Sequence, residues 1–195
     1  SKGGETLIRA LWELSTQNRQ VKLIMVGGQV GDSDPTNVAY LERIKALIET
    51  LSLGDHVIWT GFTSDEVVSA HLMAADICIL PYRDGASFRR GSFMAALSHG
   101  LPIVTTRGPR TVTAAELGDV AGDADLPTLV DGENVLLVPP DDPSSVARAV
   151  IRLIANPALR QRLGTAARIV AQDFTWDAIA RRTLAVYASI VASAP

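Results

Sequence analysis

Strand and helix signals alternate along nearly all of this 195-residue chain, and that alternation predicts an α/β fold: a doubly wound parallel sheet with helices on both faces. Two further observations agree. The strand-length runs, such as Ile77-Cys78-Ile79-Leu80 and Ile103-Val104, are continuously apolar, as strands covered on both faces are. Glycine and proline close them, at Gly27-Gly28, Gly61, Pro81 and Pro139-Pro140, where the chain must turn toward a helix.

The elements follow in order. Leu7, Ile8, Leu11 and Leu14 recur at helical spacing and predict an amphipathic helix from Gly4 to Gln17. Val21 to Val26 is an apolar strand interrupted only by Lys22, and the Gly-, Asp- and Ser-rich segment Gln29 to Asn37 is a loop. A helix from Val38 to Ser52 leads to a strand from His56 to Thr60. Gly61-Phe62-Thr63-Ser64 is then a turn, with Ser64 placed to cap a helix whose first turn carries Asp65 and Glu66 and which ends at Ala74. Ala75 to Leu80 is the next strand, stopped by Pro81. A polar loop opens into a short helix of small residues, Met94 to Ser98; Gly100 and Pro102 end it and launch Ile103 to Thr105. Arg107 to Glu133 is the least regular part. Asn134 to Val138 is the last strand, and helices near Ser144–Ala155, Pro157–Gln172 and Trp176–Ala192 finish the chain.

In open parallel sheets of this kind, ligands sit beyond the carboxyl ends of the strands, at helix N-termini. The stretch LPYRDGASFRRGSFMAALSHGLPIVTT, residues 80–106, fits that rule best. It offers the unpaired N–H groups and positive dipole end of a helix, with Gly91 and Ser92 near its start. Arg89 and Arg90 add planar guanidinium forks suited to phosphate oxygens. We therefore read this stretch, with its Gly/Arg/Ser loop and helix start, as a diphosphate pocket. Local roles compete with that reading: Arg89-Arg90 can pair with Asp84, Ser87 and Ser92 can cap the helix, and Gly85, Gly91 and Gly100 can serve as turn residues. Loop position makes Arg107 and Glu116 candidates to close over a bound ligand.

Composition narrows the function. With 47% hydrophobic and 20% charged residues, the chain belongs to the globular class. A net charge of −3 without basic runs argues against nucleic acid as a partner. The lone Cys78 in a core strand excludes a disulfide framework and favours a reducing compartment. No run is long enough to span a membrane. Asp32-Ser33-Asp34 lies in a Gly/Ser/Pro loop and reads as a solvated turn. His56, His71 and His99 lack ligand spacing, so no metal site is expected, and His99 suits a helix C-terminus. Gly27-Gly28 lacks the full G-x-G-x-x-G run leading directly into a helix, and no acidic residue ends the next strand, so an NAD site is a weak alternative.

Taken together, Lys2-Gly3 opening a helix, the Val26-Gly27-Gly28 strand end, Gly61-Phe62, the Pro-ended strand with its loop and small-residue helix, Gly100-Leu101-Pro102-Ile103-Val104, Asp131-Gly132-Glu133-Asn134 and Phe174-Thr175-Trp176 form an ordered set. That set resembles the carboxy-terminal, nucleotide-sugar-binding lobe of GT-B-fold glycosyltransferases of the retaining family 4 type, and it covers nearly the whole chain. The resemblance implies a Rossmann-like domain over residues 1–195 that binds an NDP-sugar without metal or other cofactor. It implies Lys2 on the donor diphosphate and Phe62, after Gly61, beside the base, although core burial is the simpler reading of that ring. Two glutamates with seven residues between them are usual in the family. Here those positions hold Ser87 and Ala95, in a variant lacking the two-glutamate motif, with Asp84 left to take over near the sugar.

The fold also normally has a central strand before the Lys-Gly turn. Five strands without their centre would expose apolar edges, so that strand and an acceptor-binding lobe are expected upstream. Helices 157–192, with the stripe Ile179, Leu184, Val186 and Ile190, would turn toward that lobe or pack on this domain. The implied activity is sugar transfer to a glycan or other acceptor in bacterial polysaccharide assembly, cytoplasmic and peripheral to the inner face of the membrane. A nucleotide-binding lobe without catalysis and a non-transferase Rossmann-like module are the alternatives.

Overall fold

The computed structural model describes residues 3–17, 20–27, 35–108, 111–112 and 127–192. Helix α1 (Gly4–Thr16) has the expected amphipathic pattern, burying Ile8, Ala10, Leu11 and Leu14. Strand β1 (Leu23–Val26) runs parallel to β2 (Val57–Gly61), joined through α2 (Pro35–Thr50). Helix α2 begins three residues before the apolar pattern starts, with proline in its first turn, where the missing N–H costs nothing. Helix α3 (Asp65–Ala74) then leads to β3 (Cys78–Leu80). Ser64 stands at the N-cap of α3, but its side chain makes no cap bond. It hydrogen-bonds Glu66 instead and holds that carboxyl below its ordinary range.

Strand β3 pairs in parallel with β4 (Ile103–Thr106), and β4 with β7 (Leu136–Val138). Between them lies α4 (Gly91–Ser98), which starts at Gly91 and not at Met94 as the apolar residues suggested. The Arg90 carbonyl accepts from both Phe93 and Met94, so the first turn winds through Gly91 and Ser92. The segment expected to be irregular contains β5 (Thr111–Val112) paired in parallel with β6 (Leu129–Val130). Asn134 is not in the last strand. Its amide accepts from Val130 N–H and donates to the Thr128 carbonyl, which turns the chain between β6 and β7.

The parallel sheet lies in two pieces, β1-β2 and β3-β4-β7, and among the described residues no strand bonds β1 to β3. Helix α1 ties them together. Its Ile8 and Leu11 pack with Ile44, Ile48, Leu53 and Val57 over one piece, while Ala10 and Leu14 pack with Val104, Leu136 and Val138 over the other. A third cluster, centred on Phe93, Leu97 and Ile103, fills the space between α4, β4 and α6. Cys78 packs against it, and burial pushes its thiol up to about 12. A thiol-reactive reagent should therefore modify Cys78 more slowly in the native chain than after denaturation, as a mass shift would record.

Helices α5 (Pro143–Ala155) and α6 (Pro157–Gln172) both begin with proline after a capping side chain. Asp142 accepts from Ser145 N–H and Ser145 Oγ, and Asn156 accepts from Leu159 N–H. Hydrogen bonds from Ser145 lower the Asp142 carboxyl pKa. A native pKa below the unfolded one contributes stability above the ordinary Asp range and loses it as pH falls through the lowered value. Asp142→Ala should cost about 1 kcal/mol at neutral pH, and the difference should close in acid, measured by denaturation across that window. Helix α7 (Trp176–Ala192) starts from a Thr175 cap bond to Ala178 N–H. Its apolar stripe faces solvent rather than the domain, with Leu184, Tyr187 and Ile190 each more than 60% exposed. No described helix is long and apolar enough to cross a membrane.

Candidate anion site at the strand ends

Loops at the carboxyl ends of β3 and β4 are drawn together by backbone contacts that only glycine permits. Gly85, at φ +83°, lies so close to the next loop that a β-carbon would stand 2.0 Å from the Arg107 carbonyl oxygen. Gly108 approaches Ala86 in return, and Ala86 N–H donates to the Thr106 carbonyl. Gly3, at φ +67°, brings the start of α1 against the Pro81 carbonyl, where a β-carbon would come within 1.9 Å. Two buried threonines fasten the strand ends: Thr105 Oγ1 donates to the Leu80 carbonyl and Thr106 Oγ1 to that of Tyr82. The N-terminal ends of α1 and α4 thus flank one loop, residues 81–90.

Within that loop the two arginines have different environments. Arg90 occupies the α4 N-cap, pairs with the Asp84 carboxylate and lays its guanidinium 4.2 Å from the centre of the Tyr82 ring. Its Nε is buried without a partner. Arg89 is exposed, and its guanidinium has no protein partner among the described residues; its backbone N–H donates to Ser87 Oγ. The N–H groups of Gly91 and Ser92, in the first turn of α4, have no carbonyl four residues back within the helix. A β-carbon at Gly91 would meet nothing within 4 Å, so the approach to this helix end is open. An exposed Arg89 without a protein partner among the described residues thus adjoins the open first turn of α4, a combination suited to phosphate oxygens.

The structure therefore brings together Asp84, Gly85, Ser87, Arg89, Arg90, Gly91, Ser92 and Arg107. The competing local roles hold for some of them. Arg90 takes the pairing with Asp84, and Ser87 closes the turn, its carbonyl accepting from Arg90 N–H, while neither Ser87 nor Ser92 is the cap residue. Gly100 follows the α4 C-cap at φ +66°, with Leu101 N–H returning to the Ala96 carbonyl, as a helix-ending glycine does.

Gly61 and Phe62 lie elsewhere, at the end of the β1-β2 piece. Phe62 is not a core residue: it is 94% exposed, following Gly61 at φ +67°. Lys2, Gly28, Asp32-Ser33-Asp34 and Glu116 fall outside the described residues. Histidines 56 and 99 are engaged structurally, His56 with the Val21 carbonyl and His99 with Ser69 Oγ and the Ala95 carbonyl. Among the described residues no three His, Cys, Asp or Glu side chains converge. Sequence reasoning passed over Tyr82, a buried aromatic in a polar loop whose partner, Ser92, lies ten residues on.

The sequence profile described as "Glycosyl transferases group 1" matches residues 1–156, and the chain belongs to that family. A D-inositol 3-phosphate glycosyltransferase of Streptomyces bingchenggensis is 29% identical over 189 residues, covering 96% of this chain and 38% of its own. Sucrose-phosphate synthase from Thermosynechococcus elongatus superposes with a TM-score of 0.72 at 29% identity, over 99% of this chain and 43% of that one. HepE of Anabaena, solved in complex with UDP, superposes at 0.73 with 21% identity, over 96% and 45%. The chain spans about two fifths of the length of the curated relatives it matches.

Proposed function

We propose that this group 1 glycosyl transferase chain is the donor-binding domain of a retaining, metal-independent enzyme, in which residues 84–92 hold the diphosphate of an NDP-sugar. The observation that carries this reading is the pairing of an unpartnered Arg89 with the open N-terminus of α4 beyond β3. A nucleotide-sugar is already activated, so catalysis turns on stabilising the departing diphosphate. Arg89 and the N–H groups of Gly91 and Ser92 meet the charge that develops there without reorganisation. Arg90 contributes field and shape while paired to Asp84. In this reading Lys2, just ahead of α1 in the sequence, supplies a second cation for the diphosphate, and Arg107 lies over the sugar.

Gly61 and Phe62 form the base side of the site in this reading, and UDP in the Anabaena neighbour supports a nucleoside diphosphate as the ligand class. Transfer also needs an acceptor hydroxyl held at the anomeric carbon. That task falls to a facing lobe, toward which the exposed stripe of α7 would turn, while a further strand of this domain's own sheet would fill the gap between β1 and β3. Glycan assembly in a bacterial cytoplasm, at the inner membrane face, is the setting proposed. Ser87 and Ala95, in place of carboxylates, favour as a second reading a lobe that binds nucleotide without catalysing transfer. Calorimetric titration with UDP, GDP and ADP tests the proposal: one should bind, equally with and without Mg²⁺, and binding by none would reject it.

A further inference from the structure

Tyr82 is 1% exposed, yet it sits in the polar loop that carries the anion site. Its main chain is anchored on both sides. The amide donates to the Leu80 carbonyl at 2.9 Å, and the carbonyl accepts from Thr106 Oγ1 at 2.5 Å. Its side chain touches α4 at two points. The hydroxyl hydrogen-bonds Ser92 Oγ at 2.7 Å, and the ring lies beneath the Arg90 guanidinium. Those contacts straddle Gly91. Glycine constrains its backbone less than any other residue, so the direction of the first N–H groups of α4 depends on what holds its neighbours.

We propose that Tyr82 is a positioning residue of the diphosphate site, fixing the first turn of α4 through Ser92 and fixing Arg90 through its ring. The inference rests on the donor-site reading above and adds a residue to it that touches no ligand. Strand β3 ends two residues before Tyr82, so the phenol transmits the rigidity of the sheet to a helix end that begins at glycine. Arg90, held between the ring and Asp84, is spent on structure and leaves Arg89 as the cation offered to the ligand. Burial pushes the phenol above its ordinary pKa, which keeps the hydroxyl protonated through the working range.

The test is Tyr82→Phe, which keeps the ring and removes only the hydroxyl. Affinity is measured by calorimetry for whichever of UDP, GDP or ADP binds the wild-type chain, and for the matching nucleoside without phosphates. The variant should lose roughly 3- to 10-fold in diphosphate affinity, with nucleoside affinity unchanged. In a Ser92→Ala background the same substitution should cause no further loss. A merely structural role would weaken nucleoside and diphosphate together, or act equally in both backgrounds, and either result overturns the proposal. So does a Tyr82→Phe chain that binds as wild type does, while leaving the donor site standing. A wild-type chain that binds no nucleoside diphosphate overturns the donor-site reading and this inference with it.

Discussion

The Gly85→Ala chain is expected to lose about 3 kcal/mol of stability and its nucleoside diphosphate binding together. The position combines two constraints. Its φ of +83° strains any residue with a β-carbon, and that β-carbon would lie 2.0 Å from the Arg107 carbonyl oxygen and 2.5 Å from the Gly108 Cα. These neighbours are backbone, so no rotamer change relieves the clash. The loops after β3 and β4 must separate, which breaks the Ala86–Thr106 bond and carries Arg89 and the α4 N-terminus away from their present geometry. Chemical denaturation and titration of the same variant check both halves. Stability within 0.5 kcal/mol of wild type, beyond the usual range of core overpacking, would show that the loops are not in contact.

The second large effect separates the two arginines. Arg89→Ala should weaken nucleoside diphosphate binding about 10- to 100-fold, the range for losing a charge-assisted hydrogen bond, while leaving the thermal midpoint unchanged. Its side chain is exposed and has no hydrogen-bond or ion-pair partner among the described residues, so the fold has little to lose. Arg90→Ala should lower the midpoint as well as affinity, because it frees the Asp84 carboxylate and uncovers the Tyr82 ring. Thermal melts and titrations of both variants decide it. Equal midpoints for the two would contradict the division of roles, and undiminished affinity in Arg89→Ala would remove that residue from the site.

Much of the fold was legible because its signals are local. Periodic Ile8, Leu11 and Leu14 mark α1, and the apolar runs mark β2 and β4; Pro143 and Pro157, each after a capping side chain, stand at the starts of α5 and α6. The start of α4 at Gly91 was not legible, since glycine and serine look like loop and the helix is set by the Arg90 carbonyl. The β5-β6 pair was missed because two-residue strands carry no period. For the site, residue types and position are what pick out residues 84–92 as the candidate loop. What they could not assign is which arginine is engaged, because that is decided by Asp84 and by Tyr82, whose ring is brought under Arg90 by the loop. The exposure of Phe62 likewise was not legible, because a phenylalanine beside a strand end reads as core from its residue type alone.

The central claim is that a nucleoside diphosphate is held at the first turn of α4. Amide chemical shifts of the isotopically labelled chain, followed during titration with UDP, GDP or ADP, test it residue by residue. The account predicts that the largest shifts fall on the backbone N–H groups of Gly91 and Ser92 and on the Arg89 side chain, with smaller ones through Ser87 and Gly85. Saturable binding whose shifts instead cluster away from residues 84–92, for example on the Arg148 and Arg152 face of α5, would contradict it.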